Sequence, residues 1–192
     1  MTALARRLGV VRPRDVEAAG IPREYLLRLM RRGVLERSGR GLYRLADAAV
    51  TEHHSLAEVG KRLPNATVCL LSALVFHELT TQNPAEVWIT VPPGSRTPRA
   101  NGPRLRVVRF TGPALTEGRE EHRIEGVVVG IYSPAKTVAD CFKFRNKIGL
   151  DVALEALREC VRQRKASIRE IHDFARICRV ARVMQPYLEA LP

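Results

Sequence analysis

The stretch from Pro22 to Leu45 constrains this chain more than any other part of it. Pro22 stands where a helix can begin without losing a hydrogen bond, and Gly33 stands where one ends. Between them Leu26, Leu29 and Met30 recur at i, i+3 and i+4 as an apolar stripe. Arg23, Glu24, Arg28, Arg31 and Arg32 fall elsewhere around the same helix. Val34-Leu-Glu-Arg37 and Leu42-Tyr-Arg-Leu45 then read as short strands, and the intervening Ser38-Gly-Arg-Gly41 has hairpin-turn chemistry. Upstream, Arg12 to Ala19 predicts a short helix with Val16 and Ala19 facing inward and Gly20 as its stop, and Ala3 to Leu8 supplies a further helical turn or two. Two helices joined through a glycine, the second Arg-faced, followed by a hairpin, make a winged helix-turn-helix.

The charge distribution says what such a module would meet. The chain has 192 residues and a net charge of +12. Its first 45 residues hold 11 basic and 4 acidic side chains, a net of +7, and every basic one is Arg; the remainder holds 21 and 16, a net of +5. Arginine makes forked contacts with phosphates and guanine edges, so a concentrated Arg module on a milder body is an electrostatic footprint for nucleic acid. A solvated basic surface would share the charge but not the pattern. On the DNA reading, Arg23, Glu24, Tyr25 and Arg28 reach base edges or their flanking phosphates from the second helix. Arg31, Arg32, Arg37 and Arg40 mostly position the backbone, and Arg14 is a further candidate for DNA contact. Tyr25 has two readings, an exposed contact or a partner for Leu29. A winged helix can also bind protein, for which an acidic or apolar face would be expected.

Motifs for chemistry are few. There is no GxxxxGK[ST], GxSxG or HExxH: His77-Glu78 is followed by Thr81 where a second His would be needed, so His77 reads as a core or boundary histidine. No Asp occurs between Asp47 and Asp140, and the acids expected on strands are Glu86 and Glu125, which disfavours metal-dependent phosphoryl transfer. Cys69, Cys141, Cys160 and Cys178 lie 72, 19 and 18 residues apart, too far for paired zinc ligands, and read as buried thiols of a reducing compartment. The sequence therefore predicts no metal, no cofactor and no enzyme. No apolar run approaches the ~18–20 residues of a membrane span, and nothing resembles a signal peptide, so the expected location is the cytoplasm.

The rest of the chain reads as α+β: a mixed or antiparallel sheet packed with helices, ending in a helical last third. Helices are predicted from Glu52 to Leu63 and from Val68 to Leu79, and strands over Glu86–Val91, Leu105–Phe110 and Ile124–Tyr132, with Gly126 as a bend. The Pro- and Gly-rich segment 92–103, carrying Arg96 and Arg99, is a basic loop, either a solvated connection or a partner contact. Helices follow from Ser133-Pro134, through Leu150–Leu157, from the capping box Ser167-x-x-Glu170, and over Arg179–Leu191. The domain boundaries drawn from this are 1–48 for the winged helix and 49–192 for the body.

Gly20-Ile21-Pro22 through Gly33, with Leu35-Glu36-Arg37-x-Gly39-Arg40-Gly41-Leu42-Tyr43-Arg44, resembles the winged-helix start of the AbiEi-type antitoxins. The block from Tyr132-Ser-Pro-Ala-Lys-Thr-Val-Ala-Asp-Cys-Phe to Leu157 is similar to the most recognisable part of that family's second half, and Pro186–Leu191 resembles its ending. The resemblance implies a component of a bacterial type IV toxin–antitoxin system tied to phage defence by abortive infection. Such a component represses its own operon by binding repeats in the promoter and counteracts a nucleotidyltransferase toxin; a homodimer on double-stranded DNA, one protomer to each half-site, would give the geometric match to inverted repeats. In the block from Tyr132, Lys136, Lys143, Arg145 and Lys147 are candidates for a partner surface; with Asp140 they also fit the solvated face of a structural helix. Two other readings stand beside this one: a winged-helix regulator whose C-terminal body senses a ligand or protein, and a DNA-tethered nuclease-like enzyme.

Overall fold

Left-handed glycines decide where the first helices stop. The structure, a computed structural model, describes residues 1–49, 51–95 and 102–191. Helix α1 (Thr2–Leu8) leads to α2 (Pro13–Ala18) and α3 (Glu24–Arg31). After α2, Gly20 takes φ 70°, its N–H reaches Glu17 O, and the Ile21 N–H reaches Val16 O. After α3, Gly33 takes φ 68° and the same pair of bonds forms, Gly33 N–H to Met30 O and Val34 N–H to Leu29 O. Both are Schellman ends, in which the residue past the cap must be left-handed. The helix read from Pro22 starts at Glu24 instead. The carbonyls of Pro22 and Arg23 accept from Tyr25 and Leu26 in a tight opening turn. Ala19, expected inside, is exposed, because α2 has already closed at Ala18.

Strands β1 (Leu35–Gly39) and β2 (Leu42–Leu45) form the expected antiparallel hairpin, with Leu35 opposite Leu45 and a bulge between Arg37 and Gly39. Arg44 ion-pairs across it with Glu36. A third segment joins them: Val11 and Tyr43 exchange backbone hydrogen bonds of 2.8 and 2.9 Å. The core beneath is Ala5, Val11, Val16, Leu26, Leu35 and Leu45, with Leu29, Met30 and Tyr43 packed on it. Burying Leu26 alone is worth about 1.5–3 kcal/mol. Helix α4 (His54–Arg62) follows.

The remaining elements are β3 (Thr67–Val68), α5 (Leu70–Phe76), β4 (Val87–Thr90), β5 (Leu105–Val108), α6 (Pro113–Thr116), β6 (Arg119–Ile124), β7 (Val127–Tyr132), α7 (Pro134–Lys143), α8 (Arg145–Ile148), α9 (Leu150–Arg162), α10 (Ile168–Ile177) and α11 (Ala181–Glu189). The sheet is mixed, in the order β5-β4-β3-β7-β6. Its middle strand departs from expectation. Val68, read as the start of a helix, and Thr67 before it pair antiparallel with Ile89 and Thr90 on one side and parallel with Ile131 and Gly130 on the other. Tertiary pairing on both edges outweighs the helical apolar pattern there, so α5 begins only at Leu70. Strand β6 was not expected either: Arg119-Glu-Glu-His-Arg-Ile carries the charges of an edge strand and little apolar signal. It puts Glu120 and Glu121 on a strand, whereas Glu86 and Glu125, expected there, precede β4 and sit in the turn after β6. By compactness the chain divides into one unit of Met1–Pro64, Arg99–Pro103 and Glu121–Val129, and a second of Asn65–Pro98, Arg104–Glu120 and Gly130–Pro192. The fold is α+β.

In the first unit the turn between β6 and β7 is two residues, Glu125 at φ 48° and Gly126 at φ 79°, the left-handed pair that a tight hairpin requires. The end of α1 lies directly on it: a Cβ at Gly9 would stand 1.3 Å from Glu125 O, and one at Gly126 would meet Leu8 and Gly9 backbone at 2.9 Å. Glu125 repays its strained backbone through its side chain. It accepts from the Thr51 N–H and Oγ1 at 2.8 and 2.9 Å, and His54 Nδ1 lies 2.7 Å away.

In the second unit every residue of α7 from Ala135 to Phe142 is buried. Helices α5, α9 and α10 pack around it. Lys136, proposed from sequence for a partner surface, is therefore inside, as is Asp140, one turn on. They ion-pair with each other, Cys178 Sγ donates to Asp140 Oδ1 at 3.2 Å, and Lys136 Nζ lies 4.1 and 4.6 Å from the ring centres of Tyr132 and Phe110. Burial pushes the Asp140 carboxyl above its ordinary range even though Lys136 pulls it down. All four cysteines are buried and free; burial raises Cys160 to about 11 and Cys178 to about 12. His77 is buried too, with Nε2 2.7 Å from Tyr132 O.

Asp140→Ala leaves the Lys136 charge buried without its partner and is expected to cost about 3–5 kcal/mol in urea unfolding. The double change Lys136→Met with Asp140→Leu recovers most of that loss, because two apolar side chains replace two desolvated charges. Acid acts on the first unit through Glu125. Burial raises its carboxyl, but the bonds from His54 and Thr51 outweigh this and leave it below the usual value. A depressed carboxylate adds stability above its unfolded pKa and loses it as the pH falls through the folded one. Urea midpoints are thus expected to fall from about pH 5 to pH 3, with a flatter acid limb in Glu125→Gln.

Candidate nucleic-acid interface

Helix α3 turns Leu26 into the core, at 2% exposure, and so directs its other side outward. Glu24, Leu27, Arg28 and Arg31 follow one another along that outer face at i, i+3, i+4 and i+7. Tyr25 and Arg32 flank it. Together these six surround a shallow depression of about 580 Å³. Tyr25 is 43% exposed, which places it on the outer face rather than in the core beside Leu29, and the Arg28 guanidinium lies 5.8 Å from its ring centre.

All nine residues singled out from sequence, Arg14, Arg23, Glu24, Tyr25, Arg28, Arg31, Arg32, Arg37 and Arg40, are exposed. Eight of them fall into two groups. Glu24, Tyr25, Arg28, Arg31 and Arg32 share the outer face of α3. Arg14 on α2, Arg23 at the cap of α3 and Arg40 in the hairpin turn line a second, open bay of about 440 Å³. Arg37 belongs to neither lining, and its Nε donates to Gly39 O at 3.1 Å, which holds the bulge of β1. Gly41, at φ 70°, lets the hairpin turn between Arg40 and Leu42.

Three further residues belong to these surfaces. Leu27 is 54% exposed among the charged residues of α3; the sequence signal was its place outside the Leu26, Leu29, Met30 stripe. Arg12 and Arg62 join the bay. Arg12 precedes α2, its N–H donating to Asp15 Oδ2 at 2.8 Å and its Nη1 to Lys61 O at 2.5 Å. Asp15 also takes Lys61 Nζ at 2.9 Å; burial raises its carboxyl, but these partners prevail and hold it low. Arg62 lies far along the chain, in the last turn of α4, and no local pattern pointed to it.

On the second unit Lys143 and Lys147 are exposed and Arg145 is half-buried, its Nη1 donating to Phe142 O at 2.9 Å. Of the basic loop at 92–103, residues 96–101, with Arg96 and Arg99, lie outside the described residues. The part before it is pinned by Arg109, which donates to Pro92 O and Ser95 O. Among the described residues no three His, Cys, Asp or Glu side chains come together as metal ligands, and no helix is long and apolar enough to cross a membrane.

Among solved structures, the chain is similar to the crystal structure of the RV2827C protein from Mycobacterium tuberculosis, with a TM-score of 0.57 and 17% sequence identity over 90% of this chain and 71% of that one. At that identity the likeness concerns the fold. No curated protein matches the chain. Residues 1–46, the stretch that carries α1 to β2 and the outer face of α3, match the family described as "Transcriptional regulator, AbiEi antitoxin".

Proposed function

We propose that this protein is a DNA-binding autorepressor and the antitoxin of a type IV toxin–antitoxin system. The observation that carries the DNA half is the outer face of α3, where Glu24, Tyr25, Leu27, Arg28 and Arg31 stand free on a helix whose opposite side is anchored by Leu26. Set in a major groove, Arg28 takes guanine O6 and N7 with its forked donors, Glu24 accepts from cytosine N4, and Leu27 offers an apolar contact to a thymine methyl. Arg31, Arg32 and Arg37 meet phosphates and fix the register. Residues 1–48 form the DNA-binding module, and two protomers read the two halves of an inverted repeat in the chain's own promoter.

Residues 49–192 carry the antitoxin half, counteracting a nucleotidyltransferase toxin encoded beside this chain. Lys143, Arg145 and Lys147 are its candidate partner surface; Lys136 holds the core together instead. The reading assigns the chain no catalytic step and no cofactor, and puts it in the cytoplasm. A second reading, a regulator that senses a small ligand, draws on a hollow of about 380 Å³ in the first unit, between Arg6 of α1, Gly9 just past its end, Arg44, Asp47 and Glu125.

The test is binding of the purified chain to the DNA upstream of its own gene against a scrambled duplex. The native sequence is expected to win by orders of magnitude, and Arg28→Ala to reduce that preference by roughly 5- to 100-fold, the worth of one bidentate base contact. Equal binding of both duplexes by the unaltered protein would sink the repressor reading. For the antitoxin half, co-expression with the neighbouring nucleotidyltransferase is expected to restore growth that the toxin alone arrests.

A further inference from the structure

Five arginines from four separate places in the first unit crowd one open bay. Arg12 and Arg14 come from the start of α2, Arg23 from the cap of α3, Arg40 from the hairpin turn and Arg62 from the end of α4. Glu17 is the one acid among the residues lining it, and Asp15 nearby is already engaged by Arg12 N–H and Lys61 Nζ. Crowding has a cost: burial lowers the proton affinity of the Arg12 guanidinium, and the charge of Arg14 lowers it further, against the pull of Asp15.

Arg62 differs from the other four in being closely flanked by backbone. Its guanidinium lies between two glycines; a Cβ at Gly39 would come within 2.3 Å of its Nη2 and one at Gly102 within 2.7 Å of its Cζ. Its Nε and Nη2 are buried without a hydrogen-bond partner among the described residues. The protein has thus cleared space on both sides of the Arg62 guanidinium, and the buried Glu58 carboxylate, one turn earlier on α4, stands beside the same Gly39. Arg14, Arg23 and Arg40 are exposed side chains around it. A partly buried guanidinium ringed by exposed guanidinium forks matches a tetrahedral dianion or a phosphodiester, whose oxygens accept from several forks at once.

We propose that this bay binds a phosphate group, with Arg62 as its floor and Arg14, Arg23 and Arg40 as the arms that close on it. The favoured source is a backbone phosphate of DNA, an assignment that rests on the DNA-binding reading above. A free phosphorylated ligand shares the chemistry.

The full chain is titrated with the upstream duplex and with scrambled duplex across a salt series, and separately with inorganic pyrophosphate by calorimetry. Arg14→Ala, Arg40→Ala and Arg62→Gln are run beside Arg28→Ala, with thermal unfolding to confirm that each is folded. Each bay variant is expected to weaken both duplexes severalfold and alike, and to lower the slope of log K against log salt by about one, while the preference for the native duplex stays. Arg28→Ala does the reverse and erodes the preference. If the slopes hold but pyrophosphate binding is present and is lost in Arg40→Ala and Arg62→Gln, the bay is a phosphate site for a free ligand. If neither slope nor pyrophosphate binding depends on these arginines, the proposal is overturned. Arg28→Ala still eroding the preference would then leave the DNA reading standing, whereas its failure shows as equal binding of both duplexes by the unaltered chain.

Discussion

A helix buried on all sides has nowhere to put a charge except onto itself, and α7 organises the second unit around that constraint. Lys136 and Asp140 are one turn apart, so they neutralise each other without help from another element. The other polar groups of this core complete the set: Cys178 donates from the end of α10 to the second Asp140 oxygen, and the Phe110 and Tyr132 rings present their faces to the ammonium. Tyr132 ties the arrangement to the sheet, its carbonyl accepting from Thr137 Oγ1 and lying 2.7 Å from His77 Nε2, and its hydroxyl donating to Leu115 O. A slip of α7 by one residue would break the Cys178, ring and Thr137 contacts together, because each joins α7 to another element. The ion pair therefore serves register more than net stability, since the desolvation of two charges offsets much of their attraction.

How far the fold was legible depended on which residue stood just past each helix. Gly20 and Gly33 announced the ends of α2 and α3, because glycine takes the left-handed conformation without strain. In the second unit the same Schellman bonds close α5, α9 and α10, but the left-handed residues are Glu78, Arg164 and Arg179. Those positions give no sequence signal, and they are held by the packing that follows. Strand β3 was hidden for a related reason. Two residues cannot show a period of two, and Val68 runs straight into the apolar turns of α5. Strand β6 was hidden by its charges, which suit a sheet edge.

The candidate interface was more legible than the core, because exposure on a short amphipathic helix follows from knowing its buried stripe. Once Leu26 is inside, geometry alone sends Arg28 and Arg31 out, and the residues chosen on that basis, Arg23, Glu24, Arg28, Arg31 and Arg32, are all exposed. What pattern could not supply was proximity across the chain. Arg62 reaches the hairpin through a helix that begins after the winged helix is complete, and it does so only because Gly39 and Gly102 carry no side chains. Gly39 thus does two things at once, ending the bulge of β1 and admitting a guanidinium that no hairpin pattern would lead one to expect.

On the proposed reading, specificity and grip are built from different materials in the first unit. The outer face of α3 is mixed: an acid, an apolar side chain, an aromatic ring and several arginines, the variety that distinguishes one base edge from another. The bay is nearly uniform, guanidinium upon guanidinium, and a uniform field attracts any phosphate without regard to sequence. Separating the two confines the like-charge crowding to one place, where α2, α4 and the hairpin turn already meet and can hold it. It also leaves α3 free to change its outer residues without loosening the module, because Leu26, Leu29 and Met30 anchor the helix from the other side.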